Sequence, residues 1–224
     1  MLDFSQFQII TFDCYGTLID WESGILKSVR AAFPGLNATD AEVLAGYSEV
    51  EPLIQSLGYM KYRQVLRQVL MEMGNRFSQK PTDPDAIANS LGDWQPFPDT
   101  VAALERLKQR YKLAIISNID DDLFAQTARH LKVPFDQVIT AEQVGSYKPT
   151  LRNFEVALER IALPKEAVLH AAESLYHDVA PARQLGIANV WVNRRGNKPA
   201  AASKSADVKP DLEVADLKSL ADLM

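Results

Sequence analysis

The sequence predicts an α/β fold in which a doubly wound parallel sheet is interrupted by a helical insertion. Residues 8–13 (QIITFD) form a short apolar run ending in an acid, which is typical of a buried strand whose carboxyl end faces a site. From Asp20 to about Leu91 only helical periodicity is found. After Trp94 helix and strand patterns alternate, which indicates a Rossmann-like sheet covered by helices on both faces.

The insertion is predicted to be all helical. Its apolar residues recur three and four positions apart, and Asn37 to Asp40 supply residues that commonly cap a helix. The predicted helices cover 24–33, 38–57 and 62–73. We therefore expect a catalytic core of residues 1–18 and 95–224, with a helical cap of residues 19–94.

The second part of the core shows regular alternation. Gly186 is a natural helix stop, and the Gly-, Pro-, Ala-, Ser- and Lys-rich segment 194–210 is predicted to be a surface loop or flexible arm. The predicted elements are helix 99–110, strand 112–117, helix 121–132, strand 137–140, helix 150–162, strand 167–171, helix 179–186, strand 189–193 and a last strand near 211–214.

Composition narrows the class of protein. The 224 residues are 47% hydrophobic and 24% charged, which is typical of a globular domain. The net charge of −5 argues against nucleic acid as a partner, because phosphate binding needs clustered Lys and Arg. A small-molecule substrate is the expected partner.

Nothing in the sequence suggests export or membrane insertion. The single cysteine, Cys14, cannot form an intrachain disulfide, and the N-terminus lacks a basic region before a long apolar run. The apolar stretches are far shorter than the ~20 residues needed to span a bilayer. We expect a cytoplasmic protein with no membrane partner.

Polar residues stand where the strands end, and ligands bind there in open parallel sheets. They are Asp13 and Thr17 in FDCYGTL, Ser117 and Asn118 in IISNID, Lys148 in SYKPT, and Glu173 with Asp178 in AAESLYHD. In this order these residues resemble the four motifs of the haloacid dehalogenase superfamily, and FDCYGTL most resembles its type II 2-haloacid dehalogenase branch. The match spans nearly the whole chain, with the insertion where that branch carries its cap.

The resemblance implies an aspartate nucleophile. The carboxylate of Asp13 would displace a leaving group and form an ester that water then cleaves. Gly16 allows a tight turn beneath the substrate, and Thr17 can donate to a carboxylate oxygen. Lys148 would hold Asp13 ionised, since a nearby cation lowers a carboxylate's pKa.

The remaining motif residues would bind the substrate and activate the hydrolytic water. Ser117 and Asn118 would donate to the substrate's anionic group, and Asp178 would steer or activate the hydrolytic water. Tyr15 and Glu173 are the other predicted substrate-binding residues. The resemblance also suggests a possible homodimer.

One position favours carbon–halogen cleavage. Phosphatases of the superfamily carry a second aspartate two residues after the nucleophile, as the acid that protonates the leaving alcohol. Here Tyr15 stands at that position, and a departing halide needs no proton.

Other positions depart from the dehalogenase pattern. That branch has a serine and an asparagine before the last aspartate, whereas this chain has Glu173 and Leu175 at those positions. Glu173 and Asp178 instead reproduce the spacing of the acidic pair by which phosphatases of the superfamily bind magnesium. The segment LAGYSEVEP lacks the branch's cap arginine, and Phe154 replaces a tyrosine. The candidate replacements for the arginine are Arg30, Arg63 and Arg67.

Several residues of types that often act in catalysis or metal binding are predicted to be structural. Asp120, Asp121 and Asp122 suit the start of a helix and its dipole. Cys14 is expected to be a small buried hydrophobe. The three histidines, His130, His170 and His177, lack the spacing of a zinc site.

The leading hypothesis is a metal-independent, cofactor-free hydrolase that cleaves the carbon–halogen bond of a small 2-substituted carboxylic acid, as (S)-2-haloacid dehalogenases do. The alternative is a Mg²⁺-dependent phosphatase of small phosphorylated metabolites, with Asp13, Asp178 and the carbonyl oxygen of Tyr15 around the ion. A third hypothesis is a catalytically inactive member of the superfamily that serves as a binding protein.

Overall fold

The computed structural model describes residues 2–196 and 206–224 and contains one six-stranded sheet. All strand pairs are parallel, and the spatial order is β3-β2-β1-β4-β5-β6. The order reverses between β1 and β4, so the crevice at their carboxyl ends is the expected ligand site. The strands are β1 (Ile9–Phe12), β2 (Lys112–Ser117), β3 (Gln137–Thr140), β4 (Val168–Ala172), β5 (Ala188–Val192) and β6 (Leu212–Val214).

Helices connect the strands and form the insertion. Five of the described α-helices lie between β1 and β2, the first four of them in the insertion, and the others alternate with the later strands. They are α1 (Trp21–Ala32), α2 (Asp40–Ser56), α3 (Tyr62–Phe77), α4 (Ala86–Ser90), α5 (Thr100–Leu107), α6 (Asp121–Leu131), α7 (Ala141–Val144), α8 (Arg152–Ile161), α9 (Ala180–Leu185) and α10 (Leu217–Asp222).

The sheet has apolar layers on both faces. Successive side chains of a strand point to opposite faces, so Ile9 packs with Phe154 of α8 and Ala182 of α9, whereas Ile10 belongs to the larger cluster that includes Leu104 of α5. All four residues of β1 are buried. This confirms the predicted doubly wound fold with an inserted helical cap.

The helices of the insertion begin at identifiable caps. Asp20 accepts a hydrogen bond from the Ser23 N–H at the start of α1, so this helix begins earlier than the periodicity predicted. Thr39 and Glu42 form a capping box at the start of α2. The first turn of α3 is capped from outside the insertion, as described below.

We propose that the cap extends from residue 19 to residue 94, as the sequence predicts. The two chain crossings that would join cap and core lie side by side. The Asp20 N–H donates to the Gln95 carbonyl at 2.9 Å, and the Phe97 N–H donates to the Leu18 carbonyl at 3.1 Å. These bonds pair the chain on either side of both proposed boundaries.

Every predicted strand and long helix is present, and the differences lie at the ends and in short elements. The apolar face of α3 continues to Phe77, beyond the predicted end at 73. The short helices α4, α7 and α10 were not predicted as separate elements. Of the predicted loop 194–210, residues 197–205 lie outside the described residues. No helix in the described parts of the chain is both long and apolar enough to cross a membrane.

Candidate active site

Asp13 follows β1 and is the centre of a buried polar cluster. Its Oδ1 accepts a hydrogen bond from Lys148 Nζ at 2.9 Å, and its Oδ2 accepts one from Thr17 Oγ1 at 2.9 Å. Thr17 Oγ1 in turn accepts from the Glu173 N–H at 2.9 Å. Each carboxylate oxygen of Asp13 is therefore oriented by one donor.

Lys148 joins Asp13 to a second carboxylate. Its Nζ donates to Asp178 Oδ1 at 2.6 Å and to the Ile116 carbonyl at 2.8 Å, so the three protons of the ammonium match three acceptors. The side chains of Lys148 and Asp178 are almost fully buried, and that of Asp13 is 11% exposed. The structure thus brings together three of the predicted catalytic residues.

His170 belongs to the same cluster, although the sequence predicted it to be structural. Its Nε2 lies 3.0 Å from Asp178 Oδ1, and its Nδ1 lies 2.8 Å from Thr11 Oγ1. A neutral imidazole with its proton on Nε2 donates to the carboxylate and accepts from the threonine hydroxyl. The available signal was a histidine in the middle of the otherwise apolar strand VLHAA.

Burial and charge act in opposite directions on the pKa values in this cluster. Burial raises the pKa of Asp13, and the charge of Asp178 adds to this, so together they outweigh the opposing effect of Lys148. Burial also acts to raise the pKa of Asp178, but Lys148 and His170 outweigh it and lower that pKa. The two carboxylates outweigh burial at Lys148 and raise its pKa.

The expectation that Lys148 holds Asp13 ionised is therefore met only in part. Lys148 acts in the predicted direction, but burial is the larger effect at Asp13. Asp178 is the carboxylate that the ammonium holds ionised most firmly.

Gly16 allows the turn that follows the nucleophile. Its φ of +95° lies in the region that favours glycine, and a Cβ there would lie 2.8 Å from Trp21 Nε1. Trp21 therefore packs directly against the backbone of this turn.

Ser117 and Asn118 lie at the end of β2, and their side chains differ in hydrogen bonding. Ser117 Oγ is buried and has no hydrogen-bond partner among the described residues. The Asn118 side chain donates to the Lys148 carbonyl at 3.0 Å and accepts from the Lys148 N–H at 2.7 Å. Asn118 thus positions the lysine, whereas the Ser117 hydroxyl is available to a ligand.

Tyr15 and Glu173 lie at the cavity but differ in their polar contacts. The Tyr15 hydroxyl lies 2.8 Å from Thr127 Oγ1 on α6, so it is engaged with the core. Glu173 contributes its backbone, since its N–H donates to Thr17 and its carbonyl accepts from Trp191 Nε1 at 2.7 Å.

A small cavity of about 50 Å³ lies against Asp13. This volume holds roughly one or two water molecules. It is lined by residues of both the core and the insertion: Asp13, Tyr15, Trp21, Glu51, Tyr62, Ser117, Asn118, Lys148, Glu173, Ser174, His177 and Asp178. A wider cleft of about 350 Å³ shares Lys148 and His177 with it and extends along the C-terminal end of α2.

None of the three candidate arginines lines this cavity. Arg30 pairs with Asp40 on the surface of the insertion, and Arg63 and Arg67 pair with Asp122 and Asp85. The structure therefore contradicts their suggested role as replacements for the cap arginine.

Glu51 of the segment LAGYSEVEP lies at the cavity instead, and the sequence did not single it out. Phe154 is buried in the core, with its ring 5.2 Å from the imidazole of His170. It does not line the cavity.

Asp120 connects the core to the insertion. It precedes α6 but does not cap that helix with its side chain; its carboxylate accepts the Tyr62 N–H at 2.8 Å and the Arg63 N–H at 2.9 Å in the first turn of α3. Asp120 therefore stands at the N-cap position of α6, as predicted, but its carboxylate accepts from the first N–H groups of α3, which lie within its reach.

The described residues do not form an obvious metal centre. Across residues 2–196 and 206–224, no group of three His, Cys, Asp or Glu side chains is arranged to hold an ion. One feature is compatible with a cation, since Asp178 Oδ2 is buried without a hydrogen-bond partner in the described chain. The ammonium of Lys148 lies between the two carboxylates on the other side.

Comparison with known proteins gives one family. Residues 7–186 match the model of haloacid dehalogenase-like hydrolases. The chain is 29% identical over 224 residues to (S)-2-haloacid dehalogenase from Pseudomonas sp. strain YL, covering 96% of this chain and 93% of that protein. It is 28% identical over 208 residues to glyceraldehyde 3-phosphate phosphatase from Methanothermobacter thermautotrophicus, covering 82% and 84%.

The fold is also shared with solved structures. A structure of L-2-haloacid dehalogenase from Xanthobacter autotrophicus, with chloropropionic acid covalently bound, superimposes with a TM-score of 0.82 at 20% identity. The superposition covers 97% of this chain and 98% of that one. This likeness extends over both the sheet and the inserted helices.

Proposed function

Since the chain belongs to the haloacid dehalogenase-like hydrolase family and is an enzyme, we propose that it acts as a 2-haloacid dehalogenase-type hydrolase with Asp13 as nucleophile. The substrate is a small carboxylic acid, or a derivative of one, that carries a leaving group on carbon 2. One observation favours a dehalogenase-type reaction over phosphate-ester hydrolysis. The position two residues after Asp13 holds no acid, and the Tyr15 hydroxyl there is engaged by Thr127. A leaving group that departs as an anion fits this site.

In the first step a carboxylate oxygen of Asp13 attacks carbon 2 of the substrate. A carbon–oxygen bond forms, and the carbon–halogen bond breaks with its electron pair leaving on the halide. Lys148 and Thr17 hold the carboxylate in one orientation, which reduces the entropy lost on reaching the transition state. Ser117 supplies a free hydroxyl that can donate to a carbonyl oxygen of the substrate.

In the second step water cleaves the ester at the carboxyl carbon of Asp13. The ionised Asp178 has an oxygen, Oδ2, without a partner among the described residues, so it can accept a hydrogen bond from that water and draw off its proton. The bond between the carboxyl carbon and the substrate oxygen then breaks, and the second proton of the water passes to the departing oxygen, so that a 2-hydroxy product leaves and Asp13 is again a carboxylate. Asp178 gives its proton up to solvent.

The cap must move during this cycle. The cavity beside Asp13 has room for only one or two water-sized molecules, and the cap residues Trp21, Glu51 and Tyr62 close it. We propose that substrate enters from the wider cleft that Lys148 and His177 also line. Closure then excludes bulk water while Asp13 reacts.

The proposal is tested by halide release from 2-chloropropionate and 2-chloropropionamide with EDTA present throughout. We expect release by the wild-type protein and none by Asp13→Asn or Asp13→Ala, the alanine variant being unable to revert by deamidation. Intact-mass measurement after rapid quenching should show a substrate adduct on the wild-type protein alone. An active Asp13→Ala variant would contradict the mechanism.

A second candidate is a Mg²⁺-dependent phosphatase, favoured by the unpartnered Oδ2 of Asp178. Asp13, Asp178 and the carbonyl oxygen of Tyr15 would hold the ion, which would offset the charge of a phosphoryl group. Phosphate-ester hydrolysis that EDTA abolishes, with no halide release from either chloro compound, would favour this function.

We also propose that the protein is cytoplasmic and forms a homodimer. Leu53 on α2 and Leu57, the C-cap residue just after it, lie four residues apart, hence on one face, and both are exposed. A second copy covering this face is consistent with such exposure. Light scattering of the purified protein and of a Leu53→Glu, Leu57→Glu variant tests this, since the variant should be monomeric.

A further inference from the structure

Glu51 is an acidic residue of the cap, and it lines the same cavity as the nucleophile. It lies on α2, is 7% exposed, and lines the cavity with Asp13. The Tyr62 hydroxyl donates to Glu51 Oε1 at 3.2 Å, and Gln55 Nε2 donates to the same oxygen. Within the described chain Oε2 has no such donor, so Glu51 keeps an oxygen that can accept a hydrogen bond from a ligand.

The charges around the cavity do not favour an anion. Four carboxyl groups line it, and the only lysine or arginine among the described lining residues is Lys148, whose ammonium is already shared by Asp13 and Asp178. A substrate carboxylate held near Glu51 would face a like charge and no free cation. Such an arrangement selects against anionic ligands.

The same groups suit a neutral ligand. Ser117 Oγ is buried without a partner in the described chain and can donate to a carbonyl oxygen. The ionised Glu51 can accept from an N–H group. A carboxamide presents both a carbonyl acceptor and N–H donors, so it satisfies two buried groups at once.

We propose that Glu51 is the specificity-determining residue of the cap and selects a substrate that carries a carboxamide, or a similar neutral hydrogen-bond donor, in place of a free carboxylate. This deepens the proposed function and rests on it, because it names the substrate class of that site.

The selection depends on the protonation of Glu51. Burial raises its pKa to about 7, and the hydrogen bond from Tyr62 opposes this. Above that pH Glu51 is ionised and repels anions; below it the neutral acid tolerates them. The other ionisable groups that face the cavity or pack against Glu51 are Asp13, Tyr15, Tyr47, Tyr62, Tyr147, Lys148, Glu173, His177 and Asp178.

The test uses binding of unreactive ligands, so that it does not depend on turnover. Ligand-observed NMR titrations with propionamide and propionate are run at pH 6 and pH 8.5 on the wild-type protein and Glu51→Gln. At pH 8.5 we expect the wild-type protein to bind propionamide about tenfold more tightly than propionate. The preference should shrink at pH 6. In Glu51→Gln the preference should be small at both pH values.

Glu49→Gln is the matched control, because Glu49 is exposed on the same helix and pairs with Arg76 outside the cavity. It changes the net charge equally and should keep the wild-type preference. Wild-type binding of propionate as tight as that of propionamide at pH 8.5, no binding of propionamide, or an unchanged preference in Glu51→Gln would each overturn the proposal. Failure of the proposed function would appear separately, as absence of halide release with this binding pattern intact.

Discussion

The Nε2 atom of His170 lies 3.0 Å from Oδ1 of Asp178, and both side chains are buried. The carboxylate oxygen also accepts from Lys148, so His170 acts on the site through Asp178 and not through the substrate. His170 is therefore a positioning residue. It helps to lower the pKa of Asp178, against the effect of burial.

Replacing His170 with Leu should lower kcat and change its pH dependence. Loss of the imidazole donor lets burial raise the pKa of Asp178, so the acidic fall in kcat begins at a higher pH than in the wild-type protein. The ionised Asp178 stabilises the fold above its unfolded pKa, and this contribution is lost as pH falls through its folded pKa. That loss should also begin at a higher pH in the variant.

His170→Gln and His130→Leu serve as controls for this prediction. Glutamine keeps an N–H donor and should recover part of the wild-type pH profile. His130 Nε2 contacts the Gly92 carbonyl away from the cavity, so His130→Leu should alter stability without moving the profile. A profile unchanged in His170→Leu would show that the histidine only fills space.

Replacing Lys148 with Met should abolish activity and lower the free energy of unfolding by about 3–5 kcal/mol at neutral pH, because two buried carboxylates lose their cation. Without Lys148 the folded-state pKa of Asp178 rises above its unfolded value, and that of Asp13, which burial already raises in the wild-type protein, rises further. Protonation then stabilises the folded variant, and this contribution is lost as pH rises through the folded pKa values. The loss of unfolding free energy in Lys148→Met, relative to the wild-type protein, should be smaller at pH 5 than at pH 7.5.

Urea unfolding at the two pH values measures this difference. Lys165→Met is a suitable control, since Lys165 Nζ donates to the Leu185 carbonyl at the surface. Its effect should stay within about 0.5 kcal/mol at both pH values. A deficit of Lys148→Met that is equal at pH 5 and pH 7.5 would contradict the assignment of the buried charges.

The sequence predicted the residues whose position follows from topology alone. Asp13, Ser117 and Asp178 each follow a strand, and parallel strands end at the same edge of a sheet, so the sequence alone predicts that these residues lie close together. Lys148 was grouped with these residues, but its role was predicted from the resemblance, since it follows a short helix and reaches the site through a long side chain.

The residues of the cap could not be predicted in this way. The periodicity of α2 shows which residues share a face, but not that Glu51 faces Asp13, because this depends on how the insertion docks on the core. The hydrogen-bond partners of the Asp120 carboxylate could not be predicted for the same reason. Its neighbours in sequence suggest a cap for α6, and only the docked structure shows the free N–H groups of α3 beside it.

Replacing Asp120 with Ala should loosen this docking. Two backbone N–H groups at the start of α3 would lose their acceptor, which costs about 1–2 kcal/mol for a helix cap. We expect faster hydrogen exchange at the Tyr62 and Arg63 amides and a higher KM. Asp122→Ala is the control, because Asp122 forms an exposed pair with Arg63 that contributes about 0–1 kcal/mol. Equal exchange in both variants would rule out a docking role for Asp120.

Replacing Gly16 with Ala should impair both stability and turnover. A Cβ at this position would be strained by the φ of +95° and would lie 2.8 Å from Trp21 Nε1. Gly35 also has a positive φ, +76°, but a Cβ there would meet nothing within 4 Å. Gly35→Ala therefore measures the backbone strain alone, about 1–3 kcal/mol.

The difference between the two variants isolates the contact with Trp21. We expect Gly16→Ala to unfold at lower urea concentration than Gly35→Ala and to lose most of its activity, because Trp21 must move and it lines the cavity beside Asp13. Gly35→Ala should keep wild-type kinetics. Equal activity in the two variants would mean that the position of Trp21 is not needed for the reaction, and that the cavity can be closed by Glu51 and Tyr62 without it.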